Sequence, residues 1–115
     1  MRMIERMMVN AIKNGKDFHL DNTQVRHDNG VACVYLFGNQ IAVIGRDHVL
    51  VRSDFGKVWR TATTKSRINS IIWEFGCRKS ISQMRNRWYI WDWDDKKTNA
   101  WEGEHTFPRK EKSNG

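Results

Sequence analysis

The sequence predicts a small α+β domain: an N-terminal helix, an antiparallel β-meander, a second helix packed on the sheet, and a late Trp-rich strand. Three observations carry this. A helical apolar period runs over residues 3–14 and returns over 63–76, while a two-residue period with evenly spaced turn dipeptides fills residues 22–53. The chain has 115 residues, the size of one modest hydrophobic core, and its hydrophobic residues together with its 8 Gly make up about 46%, within the usual globular share of about 45–50% and not that of a disordered chain.

In the first segment Ile4, Met7, Met8, Ala11 and Ile12 share one helical face, and Gly15 stands where a C-terminal cap belongs. The meander follows, with strands expected near 22–28, 31–37, 40–45 and 48–53. Asn29-Gly30 suits a type I′ hairpin turn because both residues tolerate positive φ, and Gly38-Asn39 and Arg46-Asp47 are the next turn candidates. Val31, Cys33, Tyr35 and Phe37 alternate with Ala32, Val34 and Leu36, so both faces of the central hairpin are apolar. The aromatic C-terminal region or another subunit must then cover the second face, which makes a homo-oligomer a reading to test.

Residues 63–76 read as a helix with a Thr cap, a buried stripe of Ile68, Ile71, Ile72 and Phe75, and Lys65, Arg67 and Ser70 left outside it. Residues 80–93 resume strand alternation: Met84, Trp88 and Ile90 take one side, and Arg85, Arg87, Tyr89, Trp91 and Trp93 the other. The folded domain is expected over 1–101. Residues 102–115 carry too little apolar content to predict structure and read as a flexible charged tail.

Charge is the strongest functional signal. Residues 52–87 hold nine Lys and Arg against Asp54 and Glu74, and this balance of +7 equals the formal net charge of the whole chain. With Trp59, Trp73, Trp88, Tyr89, Trp91 and Trp93 interleaved or adjoining, the segment suits an anionic, partly flat partner, and nucleic acid fits first. The candidate binding residues are Arg60, Lys65, Arg67, Arg78, Lys79, Arg85, Arg87, Tyr89 and Trp91. The structural alternative is that the aromatics seal a sheet face and the arginines are solvated. Thr63-Thr64-Lys65-Ser66-Arg67 offers a second anion site at a helix start, with a plain Thr cap as its alternative.

Catalysis has little support. His19, His27, His48 and His105 are scattered without metal-ligand spacing, and Asp92, Asp94 and Asp95 lack a further acid at diagnostic spacing. Cys77 lies beside Arg78 and Lys79, which favours a thiolate, but has no His nearby in sequence. Cys33 and Cys77 lack C-x-x-C spacing, and no disulfide is expected. The expectation is a non-enzymatic protein without cofactor or metal. No apolar run approaches the roughly 18 to 20 residues of a membrane span, and charges interrupt the N-terminal segment where a signal peptide is unbroken, so no membrane partner is expected.

Asn22-Thr23-Gln24-Val25, the run Val34-Tyr35-Leu36-Phe37-Gly38-Asn39-Gln40-Ile41-Ala42, and Trp59 to Asn69 together resemble small uncharacterised proteins of tailed bacteriophages. The resemblance covers about residues 22–76. It implies a phage accessory protein working in the host bacterial cytoplasm, and no catalytic residues. Two functions fit that company: binding nucleic acid with little sequence preference, or inhibiting a host enzyme or defence complex through an acidic surface of that host protein.

Overall fold

The computed structural model describes residues 1–52, 61–85, 87–101 and 103–110. In chain order these form α1 (Met3–Asn14), β1 (Phe18–Leu20), β2 (Thr23–Asp28), β3 (Val31–Leu36), β4 (Asn39–Ile44), β5 (His48–Arg52), α2 (Ala62–Glu74), β6 (Lys79–Met84), β7 (Arg87–Asp92), β8 (Lys97–Ala100) and β9 (Glu104–Pro108). The α+β class and the order of helix, meander, helix and later strands follow the reading of the sequence.

Helix α1 buries Glu5, Met8, Val9, Ala11 and Ile12; of the expected stripe Met8, Ala11 and Ile12 are buried, while Ile4 is half-buried and Met7 41% exposed, because the inward face is rotated towards Glu5 and Val9. Glu5 accepts the Arg2 backbone N–H at 3.3 Å in the first turn. Gly15 then closes the helix at φ 66°, and the Lys16 N–H bonds back to the Ala11 carbonyl. Helix α2 begins on Thr61, whose Oγ1 accepts the Thr64 N–H at 3.2 Å.

The meander builds a six-stranded antiparallel sheet in the order β1-β2-β3-β4-β5-β9. Its inner face carries Val25, Val34, Ala42 and Val51 in one cross-strand row, all buried. The helices cover this face. A bulge at Val34/Tyr35 lets Ile41 and Ala42 both turn inward, breaking the alternation of β4. On the outer face Val31, Cys33, Tyr35, Val43 and Leu50 remain half-buried.

The sheet begins one strand earlier than expected, with β1 pairing Phe18↔Val25 to Leu20↔Thr23, and three further features depart from the expectations. The Trp-rich region is not one strand: a turn at Arg85, held at φ 50°, folds it into the hairpin β6–β7, which with β8 makes a separate three-stranded sheet. The turn between β3 and β4 is Phe37-Gly38, one residue earlier than Gly38-Asn39, with φ 52° and 80°. Finally, residues 104–108 are not tail. They pair with β5 from Arg52↔Glu104 to His48↔Pro108, because Phe107, 1% exposed and opposite Val49, completes the inner face. Pro108 ends this edge strand, where a missing N–H costs no ladder bond. Residues 102 and 111–115 of the expected tail lie outside the described residues.

Candidate nucleic-acid interface

The three-stranded sheet has two unlike faces. Ile81 and Ile90 are directly paired, and with Trp88 they point into the core, where Trp88 meets Trp101 with ring centroids 5.5 Å apart. Asn69 on α2 fixes the sheet against the helix by a two-way bond: its side-chain N–H donates to the Ile81 carbonyl at 3.0 Å and its Oδ1 accepts the Ile81 N–H at 2.7 Å.

Strand alternation puts Tyr89 and Trp91 on the opposite, outer face. Their cross-strand partners are small: Ser82 and Ala100 flank Tyr89, and Ser80 and Thr98 flank Trp91. Both rings are half-buried, although neither faces a long side chain in its own cross-strand row. Trp93 continues beyond the strand, 48% exposed, and meets Trp91 edge to face at 5.8 Å. The role of this row of small side chains shows only once the register is fixed; in the sequence its one signal is the Ser80-Ile81-Ser82 alternation.

The cations predicted to gather do not form one patch. Arg85 and Arg87 stand at the hairpin tip, exposed and without an ion-pair partner among the described residues. Arg78 and Lys79 lie at the other end of the strands, about 17 Å away at about 3.4 Å per residue. Both are engaged there: Arg78 Nε sits 2.7 Å from Asp94 Oδ1 and Lys79 Nζ 3.4 Å from Asp92 Oδ2. The face is therefore polarised, with Arg85 and Arg87 at one end and carboxylates at the other. Asp92 is held below the usual carboxylate range chiefly by the Asp95 backbone N–H, and Asp94 chiefly by the Arg78 guanidinium. These acids stay charged and are already bonded.

Arg67 corrects the expectation most directly. It is buried, 4% exposed, with Nη1 2.8 Å from Glu5 Oε2 and Nε donating to Thr23 Oγ1 at 3.1 Å. Ser66 Oγ donates to the same Glu5 oxygen at 2.5 Å. Arg67 shares the helix face of Thr64 and Ile71 that turns to the interior, so it joins α2 to α1 and β2 instead of meeting solvent. Ser70, expected outside, is buried and back-bonded to the Ser66 carbonyl at 2.9 Å. Lys65 is half-buried at the start of α2 and makes no ion pair among the described residues. Arg60 lies outside the described residues. The helix-start anion site thus loses Arg67 and keeps Lys65.

The Cys77 thiol is pushed up to about 11 by burial, against the pull of Lys79 and Arg109, so the activation suggested by its basic neighbours does not occur. Cys33 and Cys77 are separate thiols. Among the described residues no three His, Cys, Asp or Glu side chains come together as metal ligands, and no helix is long and apolar enough to cross a membrane.

No curated protein and no solved structure matches the chain. The model of one phage family, the Kyanoviridae Gp96 protein, matches residues 1–108, and the chain therefore belongs to that family.

Proposed function

We propose that the protein is a non-enzymatic phage accessory protein that binds single-stranded nucleic acid in the host cytoplasm, with little sequence preference, on the outer face of β6–β8. The observation that carries this reading is the pair Tyr89 and Trp91 on one sheet face, each flanked across the ladder by small residues, with Arg85 and Arg87 at the same strand's start. Bases have π-faces whatever their identity, and the exposed part of an aromatic ring accepts them without reading sequence, each stack worth about 1–3 kcal/mol. Stacking needs unpaired bases, which favours a single strand over a duplex. The arginines would take the backbone phosphates next to the stacked bases, and the Asp92, Asp94 and Asp95 end fixes the direction in which the strand leaves.

The test is fluorescence anisotropy of a labelled oligothymidylate against the full chain, titrated from low to high salt. With Arg85 and Arg87 as the phosphate contacts, log affinity falls against log salt with a slope of about −1.4. Trp91→Ala weakens binding about 5- to 150-fold. A slope near zero, or equal affinity in the Trp91→Ala protein, overturns the reading. Recovery of a stoichiometric host protein from nuclease-treated lysate, together with no oligonucleotide binding, would assign the same face to an acidic host protein.

A further inference from the structure

The outer face of the six-stranded sheet is apolar in its middle and charged only near its margins. Register sets three cross-strand rows on it. Arg26, Cys33, Val43, Leu50 and Thr106 form the central row. On one side of it lie Gln24, Tyr35 and Gln40, continued by Arg52, which donates to Gln40 Oε1 at 2.9 Å and stands 3.1 Å from Glu104 Oε1. On the other side lie Asp28 and Val31, then His48 across Gly45, whose N–H bonds to the His48 carbonyl at 2.9 Å.

Val31, Cys33, Tyr35, Val43 and Leu50 make one contiguous apolar centre over β3, β4 and β5, each side chain half-buried. Among the described residues, Phe18 is the one partly buried hydrophobic that packs on the core, so these five lie outside it. Both helices sit on the inner side. A solvated face of an antiparallel sheet is ordinarily polar, and a contiguous apolar centre rimmed by polar groups marks a contact surface. Charge narrows the partner. The chain carries a formal net charge of +7, yet the three rows hold Arg26 and Arg52 against Asp28 and Glu104. A face of balanced charge suits a two-fold contact with its own copy, which must be self-complementary.

We propose that a second copy of this chain docks on the outer face, giving a face-to-face dimer whose two-fold axis runs between the sheets, parallel to the strands. Such an axis exchanges β2 with β5 and β3 with β4 and keeps each row over itself. Cys33 then meets the second copy's Val43, Asp28 its His48, and Gln24 its Arg52. An axis across the strands would instead set each strand on itself and Arg26 against its own copy, a like-charge contact. Five strand spacings of about 4.8 Å and strands of about 17 Å give a projected face of about 400 Å². That is below the about 800 Å² per partner of a standard interface, so the dimer dissociates on dilution.

Analytical ultracentrifugation of the full chain from about 1 to 500 μM tests it. The mass rises from one chain to two across this range, and amide shifts on dilution fall at Cys33, Val43 and Leu50. Leu50→Asp stays monomeric throughout with an unchanged circular dichroism spectrum. Each contact occurs twice in a symmetric dimer, so Asp28→Lys weakens association about 3- to 10-fold, and Asp28→Lys combined with His48→Asp restores it. Trp91→Ala dimerises like the wild type, which separates this face from the three-stranded sheet. A monomer at every concentration, a dimer that Leu50→Asp leaves intact, or dilution shifts confined to β6–β8 overturns the proposal, and a charge swap that fails to restore association overturns the axis.

Discussion

Glu5 and Arg67 form a buried ion pair, 2% and 4% exposed, whose charges are completed by Ser66, Thr23 and the Arg2 N–H. Burial pushes the Glu5 carboxyl up, but the bonds from Ser66, Arg67 and Arg2 outweigh it and leave the group below the ordinary carboxylate range. A carboxyl with a depressed folded value contributes stability that is complete above its unfolded value, near 4.5, and is lost as pH falls through the folded value. Urea unfolding of the wild type should therefore weaken below about pH 4.5, and Glu5→Gln should flatten that part of the profile. At neutral pH the same substitution strands the Arg67 charge and costs about 3–5 kcal/mol, whereas Glu5→Met with Arg67→Met costs far less than the two single changes added. A wild-type loss equal to that of Glu5→Gln below pH 4.5 would show that the pair is not what titrates. Arg67 also marks a limit of reading charge along a chain. Its helix position was legible, but its partner lies 62 residues upstream, and no local period reports a contact at that distance.

Elements whose signals are local were legible in their bounds: α1 with its Gly15 cap, though Glu5 and Val9 take the buried places expected of Ile4 and Met7, and the meander from alternation and turn dipeptides, though the short β1 was not expected. The β3–β4 turn was displaced by one because it accepts what local preference argues against. Phe37 sits there at φ 52°, 54% exposed, with its N–H bonded to the Asn22 carbonyl at 2.8 Å. A left-handed conformation costs an aromatic residue about 1–2 kcal/mol, and Asn tolerates it better. Phe37→Asn should raise stability by about 0.5–1.5 kcal/mol in thermal or urea unfolding; a loss would mean that the ring's contacts outweigh the backbone strain. Gly76 is the opposite case. It closes α2 at φ 69°, and a Cβ there would collide with the Lys110 carbonyl, so both backbone and packing exclude a side chain. Gly76→Ala should cost about 2–4 kcal/mol, read by the same unfolding curves. The hairpin β6–β7 was half legible: alternation over 87–91 gave the two faces, while the turn at Arg85 needed a positive φ that an arginine does not advertise.

At the scale of the molecule, the missing piece of the reading was β9, and its absence from the sequence signal has a physical cause. A strand with one deeply buried apolar residue, Phe107, gains its stability from the ladder it completes with β5 and not from its own composition. A chain ending at residue 103 would lose that ladder, uncover Val49 and Val51, and turn β5 into an open edge. Had 102–115 been a tail, removing 104–115 would be neutral. The structure instead predicts that this truncation unfolds or aggregates, and that Phe107→Ala in the full chain costs about 3–5 kcal/mol. Light scattering and urea unfolding of the two proteins separate the cases, since a soluble truncated chain of unchanged stability would mean that β5 does not need its neighbour.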